Sequence, residues 1–172
     1  MEKQDVDPLS FFDLAIRKKY LVERASKEDI HRGIDFYVKG KYKHLNKEVK
    51  MLFAVKRKKS KKKNRYLDRW TWVEYKNTSQ KPGWIYGPAH FIAFERSNDY
   101  IIINRKVLLE YLNGKKSKVR WDMPFVAEPK EAKYRIYQNP RNGAQICQIL
   151  SKDILSLEGA SVWKKDGDPI KS

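Results

Sequence analysis

The chain is expected to fold as a mixed α/β (α+β) domain on a central, mostly antiparallel mixed sheet with flanking helices. Three observations carry that expectation. An amphipathic helical stretch opens the chain and three β-rich runs follow it. A Gly/Pro break falls at Lys81-Pro82-Gly83. A strand-cap-helix pattern then occurs twice, near 100–112 and near 145–157. That order suits helices packed on one sheet. The 172 residues, 41% hydrophobic and 13% aromatic, suffice for one compact domain with a real core.

Each element has a local reason. Asp7 can cap free amides and Pro8 suits a first helical turn. Leu9, Phe12, Ile16 and Tyr20 recur at helical spacing, so the pattern predicts a helix to about residue 24. Ser26-Lys27-Glu28-Asp29 has capping-box spacing and starts a short turn that Gly33 ends. Residues 34–38 are rich in β-formers, Lys39-Gly40-Lys41 reads as a bend, and 49–55 is a second strand with an apolar centre. An antiparallel hairpin turning near 44 would set Asp35 opposite residue 53 or 54, and leave Glu48 beside the turn. Residues 70–76 form a third strand, and Pro88 forbids a long helix through 83–89. Farther on, 100–103 is a strand, Asn104 caps a helix over 105–112, and Gly114 stops it. Likewise 145–150 is a strand, Ser151 caps 152–157, and Gly159 stops it. The expected organisation is a core over 1–114 with a strand-helix extension over 115–172 packed on the same domain.

The formal net charge is +17 at a sequence pI near 9.8, which points to a polyanionic partner. From Lys39 to Arg69 there are 14 Lys/Arg against Glu48 and Asp68, so this segment alone carries +12. Its densest part, Lys56, Arg57, Lys58, Lys59, Lys61, Lys62, Lys63 and Arg65, is too charged to pack and reads as an exposed phosphate-binding loop leading to Arg69 and Trp70. Trp70 is the one plausible base contact. Cys147 is the only cysteine, which excludes an internal disulfide and favours a reducing compartment. No apolar run approaches a membrane span, and the N-terminus lacks a signal-peptide pattern. An intracellular, cytoplasmic protein is expected, with nucleic acid as partner, DNA before RNA, a homodimer admitted, and no membrane.

Metal-assisted phosphodiester hydrolysis needs two or three carboxylates for Mg²⁺ and a lysine near the attacking water. Glu74-Tyr75-Lys76 sets an acid and a lysine at i and i+2 on an otherwise apolar strand, where an unpaired charge is costly. Asp35 begins an apolar strand, and Lys56 ends the strand opposite. His31, His44 and His90 are scattered, so no zinc spacing exists, and no Gly-rich nucleotide loop is present. Cys147, within Gln145-Ile146-Cys147-Gln148-Ile149, reads as a core residue.

Gly33-Ile34-Asp35, Phe53-Ala54-Val55-Lys56, Trp72-Val73-Glu74-Tyr75-Lys76-Asn77, Gly83-Trp84-Ile85-Tyr86-Gly87 and Phe91-Ile92-Ala93-Phe94-Glu95 follow in that order. Together they resemble the PD-(D/E)XK nuclease superfamily, and within it phage and viral members related to Holliday-junction resolvases. The similarity covers about 28–112, with a weaker echo over 134–155. The resemblance implies a restriction-endonuclease-like core and Mg²⁺ (or Mn²⁺) held by Asp35 and Glu74. It also implies a catalytic lysine, Lys76 or Lys56, and DNA as substrate. Two departures stand beside it. The interval from Asp35 to Glu74 is long and holds an extra strand, and Ala54-Val55-Lys56 looks like the motif with its acid lost. Either the acid has moved to Glu74, with Lys56 keeping the lysine role, or the chain is an inactive nuclease-fold accessory protein that binds nucleic acid.

Overall fold

The computed structural model describes residues 10–42, 47–57 and 68–165. They form a mixed α+β fold with two sheets and a few short helices. Ser10 caps helix α1 (Phe11–Arg17), its hydroxyl oxygen accepting from the Asp13 amide at 3.3 Å. The helix buries Phe11, Leu14 and Ala15. This corrects the expected stripe: Ile16 and Tyr20 are exposed, and the helix stops well before residue 24. Lys19 adopts a left-handed φ of 65°, which breaks the helical ladder and turns the chain into strand β1 (Leu21–Arg24). Helix α2 (Lys27–His31) is capped by Ser26, which accepts from the Asp29 amide, and Gly33 ends it at φ 91°.

Strands β2 (Phe36–Tyr42) and β3 (Lys47–Lys56) pair antiparallel with Phe36 opposite Phe53 and Lys41 opposite Glu48. The hairpin register read from the sequence is therefore present. The bend expected at Lys39-Gly40-Lys41 is absent, because Gly40 continues the ladder opposite Val49. Strands β4 (Trp70–Lys76), β5 (Phe91–Glu95) and β6 (Asp99–Asn104) follow. Arg96 closes the β5–β6 turn with two bonds to the Asp99 carboxylate, at 2.7 and 2.8 Å. Asn104 caps helix α3 (Arg105–Asn113) by accepting from the Lys106 and Val107 amides, and Gly114 ends it. Strands β7 (Tyr137–Gln138) and β8 (Gln145–Leu150), helix α4 (Ser151–Leu155) and strand β9 (Ser161–Lys164) complete the described chain. Ser151 is not the cap of α4. Its buried hydroxyl donates to the Asp68 carbonyl at 2.7 Å and lies 2.8 Å from Thr71 Oγ1, holding the start of β4.

The larger sheet runs β1-β2-β3-β5-β6-β9, with β3 and β5 parallel and its other neighbours antiparallel. The smaller runs β4-β8-β7. Strand β4 is thus not the neighbour of β3 in a single sheet; it stands in a second layer. Ala54, Ile92, Phe94, Ile101 and Ile103 of the first sheet pack with Val73, Tyr75, Cys147 and Ile149 of the second, and Leu108, Leu112 and Ile154 join them from the helices. On the opposite face, Phe11 and Leu14 of α1 cover Val38, Phe53, Ala93, Tyr100 and Ile102, and Trp163 stacks on Phe11 at 5.6 Å. Each fully buried aliphatic or aromatic side chain contributes about 1.5–3 kcal/mol. Lys115 onward supplies β7, β8 and β9, so both sheets need strands from beyond Gly114.

One close approach ties the layers. A single 3-10 turn over Trp84–Tyr86 is seated on β4 through Gly83, whose amide donates to the Tyr75 carbonyl at 2.8 Å. A Cβ at Gly83 would lie 2.1 Å from the Glu74 carbonyl oxygen and 2.6 Å from its carbon. Gly83→Ala is expected to destabilise the fold by about 1–3 kcal/mol, because backbone has to move. Gly40→Ala, where the nearest atom is the Met51 methyl at 3.6 Å, should cost less than half as much. Urea unfolding of both variants measures the difference.

Candidate active site around Lys56

Lys56 is the last residue of β3, on the same face as Ala54, and that face is turned toward the second sheet. Its ammonium is half-buried and lies over the Trp84 ring, 5.1 Å from the centroid. Burial pushes the Lys56 ammonium below its ordinary range, while the carboxylates of Asp35 and, to a lesser extent, Glu74 push it back up. Two acids far apart in sequence thus favour the charge of one ammonium.

Each is held by a local feature. Asp35 stands where the β2–β3 ladder ends: its amide donates to the Phe53 carbonyl at 2.8 Å and its carbonyl accepts from the Ala25 amide at 3.0 Å. Its side chain extends the ladder by one rung, Oδ2 accepting from the Val55 amide at 2.7 Å. The strand-start capping role and the proximity to Lys56 coexist in one carboxylate. Glu74 is half-buried on β4 beside a bulge. Glu74 faces Ile146 and Lys76 faces Gln145, so Tyr75 is the extra residue. Bulges re-aim side chains and are frequent beside active sites. Trp84 is fixed edge-on against Phe94 at 5.6 Å, so its face is a rigid platform for the Lys56 ammonium.

Lys76 follows the bulge, half-buried, its backbone bridged to Pro82. Of the two candidate lysines, Lys56 is the one whose ammonium is seated over the Trp84 ring. Ala54 is buried in the core between the sheets, with its methyl where an i−2 acid of Lys56 would project.

The oxygen donors fit Mg²⁺ in kind. Asp35 and Glu74 offer carboxylates, and Mg²⁺ commonly takes one or two of these and completes its shell with water and phosphate oxygens. Among the described residues, no three His, Cys, Asp or Glu side chains gather to hold a metal by themselves. Water and substrate would have to supply the rest. His90 is used structurally, its Nδ1 accepting from the Leu52 amide at 3.1 Å. Burial pushes the Cys147 thiol up to about 12, consistent with a core role and not a nucleophilic one.

The basic segment is seen at its ends. Arg57 and Arg69 are exposed. Asp68 anchors the return, accepting from the Ser97 amide and hydroxyl at 2.9 and 3.0 Å. Lys58, Lys59, Lys61, Lys62, Lys63 and Arg65 lie outside the described residues, as does His44. Trp70 is half-buried, edge-on to Tyr134 at 5.9 Å and covered by the Lys133 ammonium at 5.0 Å. Sequence reasoning missed the seat that Trp84 gives Lys56, although Gly83-Trp84 was the available signal.

Comparison with protein-family models, curated proteins and solved structures gives no match. No helix among the described residues is long and apolar enough to cross a membrane.

The direction of the Lys56 shift has a measurable consequence. The folded value lies below the ordinary 10.5, so the unfolded chain binds more protons in that window. The stability at this position therefore rises with pH from the depressed value up to about 10.5. The unfolding free energy of the wild type, minus that of Lys56→Met, should increase as pH is raised through the alkaline range in urea titrations. A flat or falling difference would show that the ammonium is not desolvated.

Proposed function

We propose that the chain is a Mg²⁺-dependent nuclease of PD-(D/E)XK type, acting on DNA inside a cell, on a restriction-endonuclease-like core. The observation that carries the reading is the half-buried Lys56 ammonium seated over the Trp84 ring, beside the Val55 amide that orients the Asp35 carboxylate, with Asp35 and Glu74 both favouring its charge. In this reading the lost acid at Ala54 is replaced from the facing sheet. Mg²⁺ (Mn²⁺ serving as well), when bound, supplies a Lewis acid for the scissile phosphate and lowers the pKa of water.

The protein's own parts divide the remaining work. Asp35 and Glu74 would hold the cation, Asp35 with one oxygen already oriented by the Val55 amide. Lys56 orients the attacking water and stabilises the charge that develops on the phosphoryl oxygens, with Trp84 fixing its stem and head. Lys76 is the alternative for that role. Arg57 and Arg69, with the lysines between them, neutralise flanking phosphates, which gives affinity without sequence preference.

One observation favours a second reading. The charge of Lys56 is already answered by two carboxylates, and such a cluster also serves as a structural ion network in a non-catalytic nucleic-acid-binding protein.

Purified protein incubated with supercoiled, linear and branched DNA and Mg²⁺ or Mn²⁺ should cut at least one of them. Asp35→Ala and Glu74→Ala are expected to lower cleavage to the level without metal, and Lys56→Ala to lower it about 10²–10³-fold. An equal loss in Lys76→Ala alone would move the lysine role to that residue. Cleavage that survives both acid substitutions sinks the nuclease reading. Salt-sensitive binding with no metal-stimulated cleavage selects the accessory protein.

A further inference from the structure

The segment between α3 and β7 carries an exposed aromatic surface that the proposed chemistry does not use. Trp121 is 43% exposed and Phe125 45%, their rings 6.3 Å apart and edge-to-face, with Met123 exposed between them. Large apolar rings are seldom left in water as a contiguous group without a partner.

These rings are held in place. The Arg120 amide donates to the Tyr134 carbonyl and the Val126 amide to the Ile136 carbonyl, both at 2.9 Å. Arg135 Nη2 donates to the Pro124 carbonyl at 2.8 Å, between the two aromatics in sequence. Trp121 rests edge-on against Tyr75 at 4.9 Å, and Tyr75 is the bulge residue next to Glu74. The surface therefore adjoins the strand that carries the candidate acid.

Charge selects the occupant. From Lys115 to Arg135 the chain has seven Lys/Arg against Asp122, Glu128 and Glu131. Lys115 and Lys116 are exposed. Arg120 is paired with Asp122 through two bonds at 2.9 and 2.8 Å, and Lys118 with Asp153 at 3.0 Å. Rigid exposed rings flanked on both sides in sequence by cations suit single-stranded nucleic acid: bases stack on the rings while the backbone follows the positive charge.

We propose that Trp121 and Phe125 form a stacking platform for unpaired bases. On the nuclease reading, the substrate class then becomes DNA with a single-stranded or branched segment. A duplex, with its bases already stacked, gains nothing from the platform.

Binding of a labelled oligothymidine and of a duplex of equal length is measured by fluorescence anisotropy in Asp35→Ala protein without divalent metal, so that cleavage plays no part. Phe125→Ala and Trp121→Ala should each weaken single-strand binding about tenfold and change duplex binding less than about threefold. Trp121→Phe, which keeps a ring against Tyr75, should restore most of the affinity. Thermal unfolding checks that each variant is folded, and Phe125→Ala serves if Trp121→Ala is not. Equal losses on both ligands, or no loss on either, overturn the proposal. So does concentration-dependent self-association that Phe125→Ala abolishes while leaving single-strand affinity intact. Single-strand binding that depends on these rings, in a protein that never cuts, would leave the platform standing and remove only the nuclease reading.

Discussion

Seating one ammonium group between two sheets is the constraint on which the arrangement around it depends. Full desolvation of an ion costs several kcal/mol, and a lysine so placed stays charged only if its surroundings answer that charge. Lys56 is answered three times: by Asp35 at the end of the β2–β3 ladder, by Glu74 from the second sheet, and by the face of Trp84. These partners come from different elements and from both layers. Displacing any of them leaves a cation in a poorer dielectric environment, so the inter-sheet packing and the cluster geometry are coupled. The coupling runs through Gly83, where the turn bearing Trp84 lies too close to the Glu74 backbone to admit a side chain. A shift of β4 therefore moves an acid and the aromatic platform together.

Where structure follows from neighbours in sequence, the sequence was legible. The hairpin register of β2 with β3, the Ser26 and Asn104 caps and the stop at Gly114 all rest on contacts within a few residues or on a single turn. The partition of strands into two sheets is a long-range choice, and proximity along the chain misled it. β3 passes over β4 to pair in parallel with β5, four residues against four from Phe53–Phe91 to Lys56–Phe94. A physical signal did exist. Phe91-Ile92-Ala93-Phe94 is apolar at every position, as a strand covered on both faces requires, whereas β4 alternates buried and half-buried residues. Strand β1 escaped notice because Leu21–Arg24 is mostly exposed and carries no alternation to read. Ser151 followed the local capping rule and lost to a tertiary partner, the Asp68 carbonyl.

The candidate site was legible as a list of residue types and not as a geometry. Asp35, Lys56 and Glu74 follow from their chemistry and from an expected single central sheet to which all three strands would belong. Lys56 and Glu74 stand instead on strands of different sheets. That difference bears on Ala54. An acid two residues before Lys56 on β3 would share that strand's face and project into the packed core, where Ala54 is 1% exposed. Glu74 approaches from β4 beside the bulge and stays half-buried, within reach of water. On the nuclease reading, an acid supplied from the facing sheet keeps the carboxylate hydrated and lets a small residue fill the core.

Electrostatics then sets what such a cluster can accept. Two carboxylates beside one ammonium leave a local excess of negative charge, which repels a phosphodiester. The chain offsets that repulsion with the cations that begin at Arg57, next to Lys56, and return through Arg69 to the start of β4. A divalent cation would offset it at shorter range, where a smaller dielectric makes the attraction stronger. On the proposed reading, the cationic segment holds a nucleic-acid backbone without distinguishing one part of that backbone from another. On the nuclease reading, selection of a scissile position has to come from features fixed relative to Glu74. The turn seated on the Glu74 backbone at Gly83 and the Trp121 ring packed on the neighbouring Tyr75 are described features of that kind.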